Sequence, residues 1–179
     1  MTRLDALTSA LLALLASLAL AACGGTVDFS VDKLLDVDTN VNSGHALAGY
    51  DLAASAGSAW KQRSHISSVS ITEADATVTA VGAGNAATTV SGAVWLLPEG
   101  ATSTSDAGAV PVGDWTGQPV EVGTTISLQL SQELNDFVRN AFKGSGKFSV
   151  YTEGTGASGA RVVCTLHVVL GGRLKWKAF

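Results

Sequence analysis

Apolar and polar residues alternate along much of this chain, and this period of two residues limits the fold more than any other feature. In the first such run, Val27, Phe29 and Val31 alternate with aspartate and serine, and the pattern resumes after Lys33 as far as Asn42. Successive side chains of a β-strand point to opposite faces, so alternation indicates a strand with one buried face. We therefore expect a long half-exposed strand here, with an irregularity near Lys33.

Further runs of the same kind predict a domain rich in sheet. They predict strands at 66–72, 76–81, 88–97, 120–130, 147–152, 161–170 and 173–179. The glycine-rich segments 82–85, 154–159 and 171–172 are predicted as turns between them. In the strand at 161–170, Cys164 falls on the apolar face and His167 on the polar face. Strands of this number and spacing predict a mainly β fold, an antiparallel β-sandwich of the Ig-like or jelly-roll-like type.

One short helix is predicted near residues 131–143, covering an end or an edge of the sandwich. Ser131 can cap its N-terminus, Glu133 suits its first turn, and Gly144 follows its last turn. Apolar residues recur along it at helical spacing, at Leu134, Phe137, Val138, Ala141 and Phe142. We expect this stripe to face the core.

Two segments lack a clear period. Residues 45–60 are rich in alanine and glycine and are predicted as a loop or a short helix. Residues 98–119, rich in Ser, Thr, Gly and Pro, are predicted as a long loop with a short strand near 109–112, and such a loop is uncommon unless it is mobile or functional. Trp115 is its one large apolar residue. Two roles stay open for Trp115, a contact residue of the loop or a plug that ties the loop to the core.

The first 22 residues have the order of a cleaved secretory signal. Arg3 precedes an apolar run from Ala10 to Leu20, and the small residues Ala21 and Ala22 follow. The run is short for a membrane-spanning helix, which needs about 20 apolar residues. We therefore expect residues 1–22 to be removed.

The sequence Leu20-Ala21-Ala22-Cys23 resembles the lipobox of bacterial lipoproteins, which consists of one aliphatic residue, two small residues and a cysteine. The resemblance implies cleavage between Ala22 and Cys23, a diacylglyceryl group on the Cys23 sulfur, and acylation of the new amine. Two acyl chains anchor a protein firmly, because each buried methylene contributes about 0.8 kcal/mol. Residue 24 is Gly rather than Asp, and by analogy with sorting in Gram-negative lipoproteins this favours the outer membrane over the inner.

The expected organisation has three parts. These are a signal peptide at 1–22, a lipidated anchor with a very short linker at 23–26, and a single domain at 27–179. If Cys23 carries lipid, Cys164 has no disulfide partner. We therefore predict that Cys164 is a buried apolar residue.

Charge is distributed unevenly along the chain. Between residues 23 and 136 there are 13 acidic residues against three basic ones, whereas from residue 137 onward seven basic residues accompany only Glu153. Such asymmetry can mark a surface that meets phosphate headgroups or an acidic partner. The alternative is that the two signs interleave in the folded domain.

No motif in the sequence predicts a catalytic, cofactor or metal site. His45, His65 and His167 lie in unrelated contexts, and neither a G-x-S-x-G nor an HExxH pattern occurs. The glycines at 154–159 fit GxGxxG, but a β-branched run follows where a dinucleotide site needs a helix. The basic C-terminal strand is too short to argue for nucleic acid. We expect no cofactor, no metal and no nucleic-acid partner.

The leading hypothesis is a non-enzymatic envelope lipoprotein, held on the membrane by lipid on Cys23, that acts through protein contacts as a structural, adhesive or assembly subunit. The first alternative is a carrier for a lipid or other apolar ligand, which requires an open apolar pocket of several hundred Å³ rather than a filled interior. The second alternative is an envelope hydrolase, which requires a histidine within hydrogen-bond reach of a hydroxyl in a cleft.

Overall fold

Two antiparallel four-stranded sheets packed face to face make up the domain, which confirms the predicted β-sandwich. The computed structural model describes residues 24–177, so the lipobox and its lipidation and cleavage residues Ala22 and Cys23 lie outside the described residues. The strands are β1 (Gly25–Asp38), β2 (His45–Asp51), β3 (Ile66–Val81), β4 (Thr89–Pro98), β5 (Val110–Pro119), β6 (Thr125–Ser127), β7 (Lys147–Gly156) and β8 (Val163–Trp176). The helices are α1 (Leu52–Ser55), α2 (Gly57–Lys61) and α3 (Gln132–Lys143), with 3-10 turns at Arg63–His65 and Ala157–Gly159.

The strand order identifies which type of sandwich this is. One sheet has the order β1-β8-β3-β6 and the other has β2-β7-β4-β5. The chain therefore changes sheet at every connection except the one between β4 and β5, and the first strand pairs with the last. This eight-stranded arrangement is the jelly roll, which was one of the two types left open by the sequence.

The predicted helix is confirmed as α3, and it covers one edge of the sandwich. The Ser131 hydroxyl accepts a hydrogen bond from the Leu134 amide at 3.1 Å and so caps the helix. Leu134, Val138 and Phe142 are buried, as the apolar stripe predicted. The Asn135 side chain accepts a hydrogen bond of 2.7 Å from the Ile71 amide, which fixes α3 against β3.

One strand was missed and a second was predicted too short, because both segments are poor in strand-forming residues. The segment predicted as a loop or short helix contains β2, which pairs with β7 along its whole length, followed by α1 and α2. The segment predicted as a long loop contains β5, although Pro111 and Pro119 lie within it. Both strands are at a sheet edge, where proline is tolerated because one side of the backbone has no ladder partner.

The strand predicted at 120–130 is largely wrong. Gly123 has a φ of +93°, a conformation that suits glycine and turns the chain, so only β6 remains of that strand. Val122, expected on the buried face, is 67% exposed in this turn. The predicted strands at 66–72 and 76–81 are one strand, β3, with register shifts along its pairing with β8.

The glycine pair at 171–172 was predicted as a turn but lies inside β8. A Cβ on Gly172 would be 2.7 Å from the ring of Phe29, so the glycine makes room for an aromatic side chain of the neighbouring strand. The expected irregularity near Lys33 is also absent, since β1 pairs with β8 without a register shift. Lys33 keeps its inward position, with its ammonium 5.1 Å from the ring centroid of Tyr50.

Within residues 24–177, no helix has both the length and the apolar character needed to span a membrane.

Candidate functional site

The chain enters the domain next to the end of β8. Gly25 is the Cα partner of Trp176 in the β1–β8 ladder, and a Cβ on Gly25 would lie 2.8 Å from the indole ring. A Cβ on Gly24 would collide with the backbone of Trp176. The two residues that follow Cys23 in the sequence are therefore packed against the last strand, and β1 begins at the second of them.

A shallow open cleft of about 490 Å³ lies at this end of the domain. It is lined by Gly24, Gly25, Thr26, Ser67, Lys175, Trp176 and Lys177. Lys175 and Lys177 are exposed, and Trp176 is half-buried.

Acidic residues from the first part of the chain pair with basic and polar residues from its last part on the outer surface of β1 and β8. Aspartates of β1 meet polar or basic partners of β8 or the residues just before it, at Asp28–Arg173 (2.8 Å), Asp32–His167 (2.6 Å), Asp36–Thr165 (2.7 Å) and Asp38–Arg161 (2.8 Å). The predicted outward direction of His167 is therefore correct. The acidic and basic parts of the chain interleave here because the jelly roll pairs its first strand with its last.

The Asp38–Arg161 pair has two hydrogen bonds, since Arg161 Nε also donates to Asp38 Oδ1 at 3.2 Å. This contact lowers the pKa of Asp38 below its usual value and raises the pKa of Arg161. The pair joins the end of β1 to the segment before β8.

Cys164 faces the core, as predicted, and is 4% exposed. Burial, followed by the charge of Asp36, raises the pKa of its thiol to about 11. The thiol is therefore protonated at neutral pH, whereas a nucleophilic cysteine acts as the thiolate.

Trp115 is a strand residue rather than the tip of a loop, because β5 continues through it. Its side chain is 5% exposed and belongs to the core between the sheets, which fits the plug rather than a contact residue at the tip of a loop. The ring fits over Gly92, where a Cβ would be 2.7 Å from indole Cζ2. The indole Nε1 is buried and makes no hydrogen bond within the described part of the chain.

A second open cleft, of about 500 Å³, lies beside Trp115. Polar groups line it, among them Ser43, His45, Ser91, Asp114 and Glu153. His45 and Glu153 meet here because they are Cα partners in the β2–β7 ladder. No spacing in the sequence could have shown this, because β2 itself was not recognised.

Tyr151 connects these two residues. Its hydroxyl lies 2.8 Å from His45 Nδ1 and can also donate to Glu153 Oε2 at 3.4 Å. Burial and the neighbouring Glu153 charge raise the pKa of Tyr151, so the phenol stays protonated at neutral pH. The arrangement offers hydrogen-bond donors and acceptors to a polar group in the cleft, and it disfavours the phenolate that a nucleophilic tyrosine would need.

The interior between the sheets is filled by large side chains. Phe29 and Phe148 are buried, and their rings contact Phe142 and Phe137 edge to face at centroid distances of 5.2 Å and 5.7 Å. Trp176 packs against this core, while Trp95 lies outside it. A filled interior weighs against the carrier alternative, which needs an open apolar pocket.

Among residues 24–177, no three His, Cys, Asp or Glu side chains are grouped as a metal site would require.

Comparisons with known proteins give structural similarity only. No protein-family model and no curated protein matches the sequence. A structure of Desmodium yellow mottle tymovirus is 13% identical with a TM-score of 0.37, covering 87% of this chain and 89% of its own. A structure of turnip yellow mosaic virus is 12% identical with a TM-score of 0.36, covering 87% of this chain and 95% of its own. A decameric BFDV capsid protein is 10% identical with a TM-score of 0.38, covering 85% of this chain and 99% of its own. The fold assignment therefore rests on the strand order of the chain itself.

Proposed function

We propose that this chain is a lipid-anchored protein of the bacterial cell envelope, whose jelly-roll domain acts through contacts with other envelope components rather than by catalysis. The lipobox at Leu20-Ala21-Ala22-Cys23 is the observation that carries this proposal. It lies directly before Gly24 and β1, where an anchored domain would begin.

The packing of Gly24 and Gly25 against Trp176 supports a domain held close to its membrane. With β1 beginning at Gly25, only Gly24 separates the anchor from the first strand. Residues in extended chain span at most about 3.6 Å each, so the domain has little freedom to move away from the bilayer. Two acyl chains would make this attachment stable, and the Gly at position 24 favours the outer membrane.

Two of the groups that could act as nucleophiles support a non-catalytic role. Burial keeps the Cys164 thiol protonated, and the Tyr151 phenol is held protonated beside Glu153. The domain would then act as a structural, adhesive or assembly subunit with a protein partner in the envelope.

The test is to express the full chain in a Gram-negative host and to compare it with Cys23→Ala. We expect the mature protein to begin at Cys23 and to carry the mass of the acyl groups, and we expect the variant to leave the detergent-soluble membrane fraction. Cys164→Ala is the matched control, because it also removes one cysteine and should keep the lipid. An unmodified N-terminus, or equal membrane attachment of Cys23→Ala, would overturn the proposal.

Hydrolysis at the cleft beside His45 is the second candidate function, and one observation favours it. His45 lines the cleft, and its Nδ1 lies 2.8 Å from the hydroxyl of the buried Tyr151, within hydrogen-bond reach. Turnover of a p-nitrophenyl ester series by the mature protein, lost in His45→Ala and kept in His167→Ala, would support it. Equal turnover by both variants would reject this site.

A further inference from the structure

The end of the sandwich where the chain enters carries a group of cations and two tryptophans. We call Lys61, Arg63, Lys175, Trp176 and Lys177, together with the adjacent Trp60, the basal patch. We propose that the basal patch binds the anionic phospholipid headgroups of the membrane that holds the Cys23 anchor. This inference rests on the proposed function and adds to it a fixed orientation of the domain.

Strand pairing brings the parts of the basal patch together. Trp176 is the Cα partner of Gly25 on one side and of Ile66 on the other. The Lys177 amide donates a hydrogen bond of 3.1 Å to the carbonyl oxygen of His65, which places the 3-10 turn beside the end of β8. Because α2 leads directly into this turn and contacts β1, its basic residue belongs to the same surface.

The basal patch has an excess of positive charge, from Lys61, Arg63, Lys175 and Lys177. Of the carboxylates that flank its segments along the chain, Asp28 accepts a hydrogen bond from Arg173 and Asp51 caps α1. All four side chains are exposed, and within residues 24–177 none of them forms an ion pair. The next cation along β8, Arg173, differs because it donates to Asp28 at 2.8 Å. Within residues 24–177, the four cations of the basal patch thus have no counterion among the ion pairs of the structure.

The two tryptophans give the patch the chemistry of a membrane interface. Trp176 is half-buried with its ring over Gly25, and the half-buried Trp60 has the Arg63 guanidinium 4.6 Å from its ring centroid. Indole rings prefer the headgroup level of a bilayer, where their amphipathic character is satisfied. Cations beside them attract anionic lipid within about one Debye length of the surface.

The position of the Cys23 anchor favours a membrane, rather than a protein, as the partner of the basal patch. The chain leaves the described domain at Gly24, beside Trp176 and Lys177, so lipid on Cys23 would bring its own bilayer against this surface. A lipid chain combined with a basic surface is a common way of stabilising attachment. An acidic protein would have to compete with a bilayer that is already there.

The test uses the mature chain, residues 23–179, with Cys23→Ser, so that no lipid contributes to binding. This chain should fold without lipid, since the buried core extends from Phe29 to Leu174. Co-sedimentation is measured with vesicles of phosphatidylcholine alone and with vesicles that contain phosphatidylglycerol. We expect binding to the anionic vesicles only, weakened by salt. Lys175→Gln with Lys177→Gln should weaken it about tenfold or more, because each cation near an anionic surface contributes roughly fivefold in affinity.

Arg139→Gln with Arg161→Gln is the control of equal charge change, on α3 and beside the start of β8, at the opposite end of that strand from Trp176. If both pairs lower binding equally, net charge rather than the basal patch is responsible, and the inference is overturned. Equal binding to neutral vesicles, or none to anionic ones, also overturns it. The proposed function is tested separately, by the mass of the N-terminus of the protein from its host. Because the vesicle assay uses a chain without lipid, its outcome does not depend on whether Cys23 is lipidated.

Discussion

Replacing Phe142 by alanine should lower the stability of the domain more than any surface change. Phe142 is fully buried at the end of α3, and its ring meets Phe29 edge to face at 5.2 Å and Trp60 at 6.4 Å. It therefore joins the helix to β1 and to α2. A Phe→Ala change in a core costs about 3–5 kcal/mol, and loss of the edge-to-face contact puts this site toward the upper end.

The expected loss is a large fraction of the whole stability. A domain of this kind is stable by about 5–15 kcal/mol, and about 2–4 °C of Tm corresponds to 1 kcal/mol at this size. We therefore expect Tm to fall by about 6–20 °C. Urea unfolding of the Cys23→Ser mature chain, followed by circular dichroism, measures the free energy change, and an unchanged m-value shows that the two-state comparison is valid.

The matched control for Phe142 is Leu130→Ala. Leu130 is 52% exposed, and its truncation should change stability by less than about 0.5 kcal/mol. A loss below about 1 kcal/mol for Phe142→Ala would refute the reasoning, because a cavity at this site would then have collapsed or the ring would not be buried as described.

Three further predictions concern charge, thiol reactivity and packing. Arg161→Gln should raise the pKa of Asp38 toward 3.8, and an unchanged pKa in a carboxyl NMR titration would contradict the role of Arg161. In the native protein, the Asp38–Arg161 pair stabilises the domain above pH 3.8, and this contribution is lost as the pH falls through the lowered pKa of folded Asp38. In the Cys23→Ser chain, the Cys164 thiol should react with DTNB at pH 8 only after unfolding in urea, and rapid reaction of the native protein would show that Cys164 is accessible. Gly172→Ala should lower the free energy of unfolding by about 1–3 kcal/mol because the new methyl would overlap the phenylalanine ring from β1, and an unchanged urea midpoint would argue against that close approach.

The sequence predicted well those elements whose local signals agree. In α3, the cap at Ser131 and the buried Leu134, Val138 and Phe142 follow from spacing alone. The alternation of β1 and β8 likewise predicted that Val37 and Cys164 face the core. These are properties of neighbouring residues, and they need no knowledge of partners distant in the chain.

The remaining features depend on distant pairing. β2 is held by β7, so its Ala48 and Gly49 need no strand propensity of their own. Gly172 was predicted in a turn because nothing in the sequence shows that Phe29 lies over it. For the same reason the meeting of His45 with Glu153 could not be predicted, and the choice between the two sandwich types required the strand order.

The central place of β8 in its sheet controls when the protein can fold. β1 and β3 each pair with β8 along most of their length, and they do not pair with one another. Half of the sandwich must therefore wait for residues 163–176. Contacts of such long sequence separation form slowly, because the entropy cost of closing the long loop comes before the stabilising strand contacts can form. A ribosome releasing this chain would therefore expose β1 and β3 without their β8 partner until residues 163–176 had emerged.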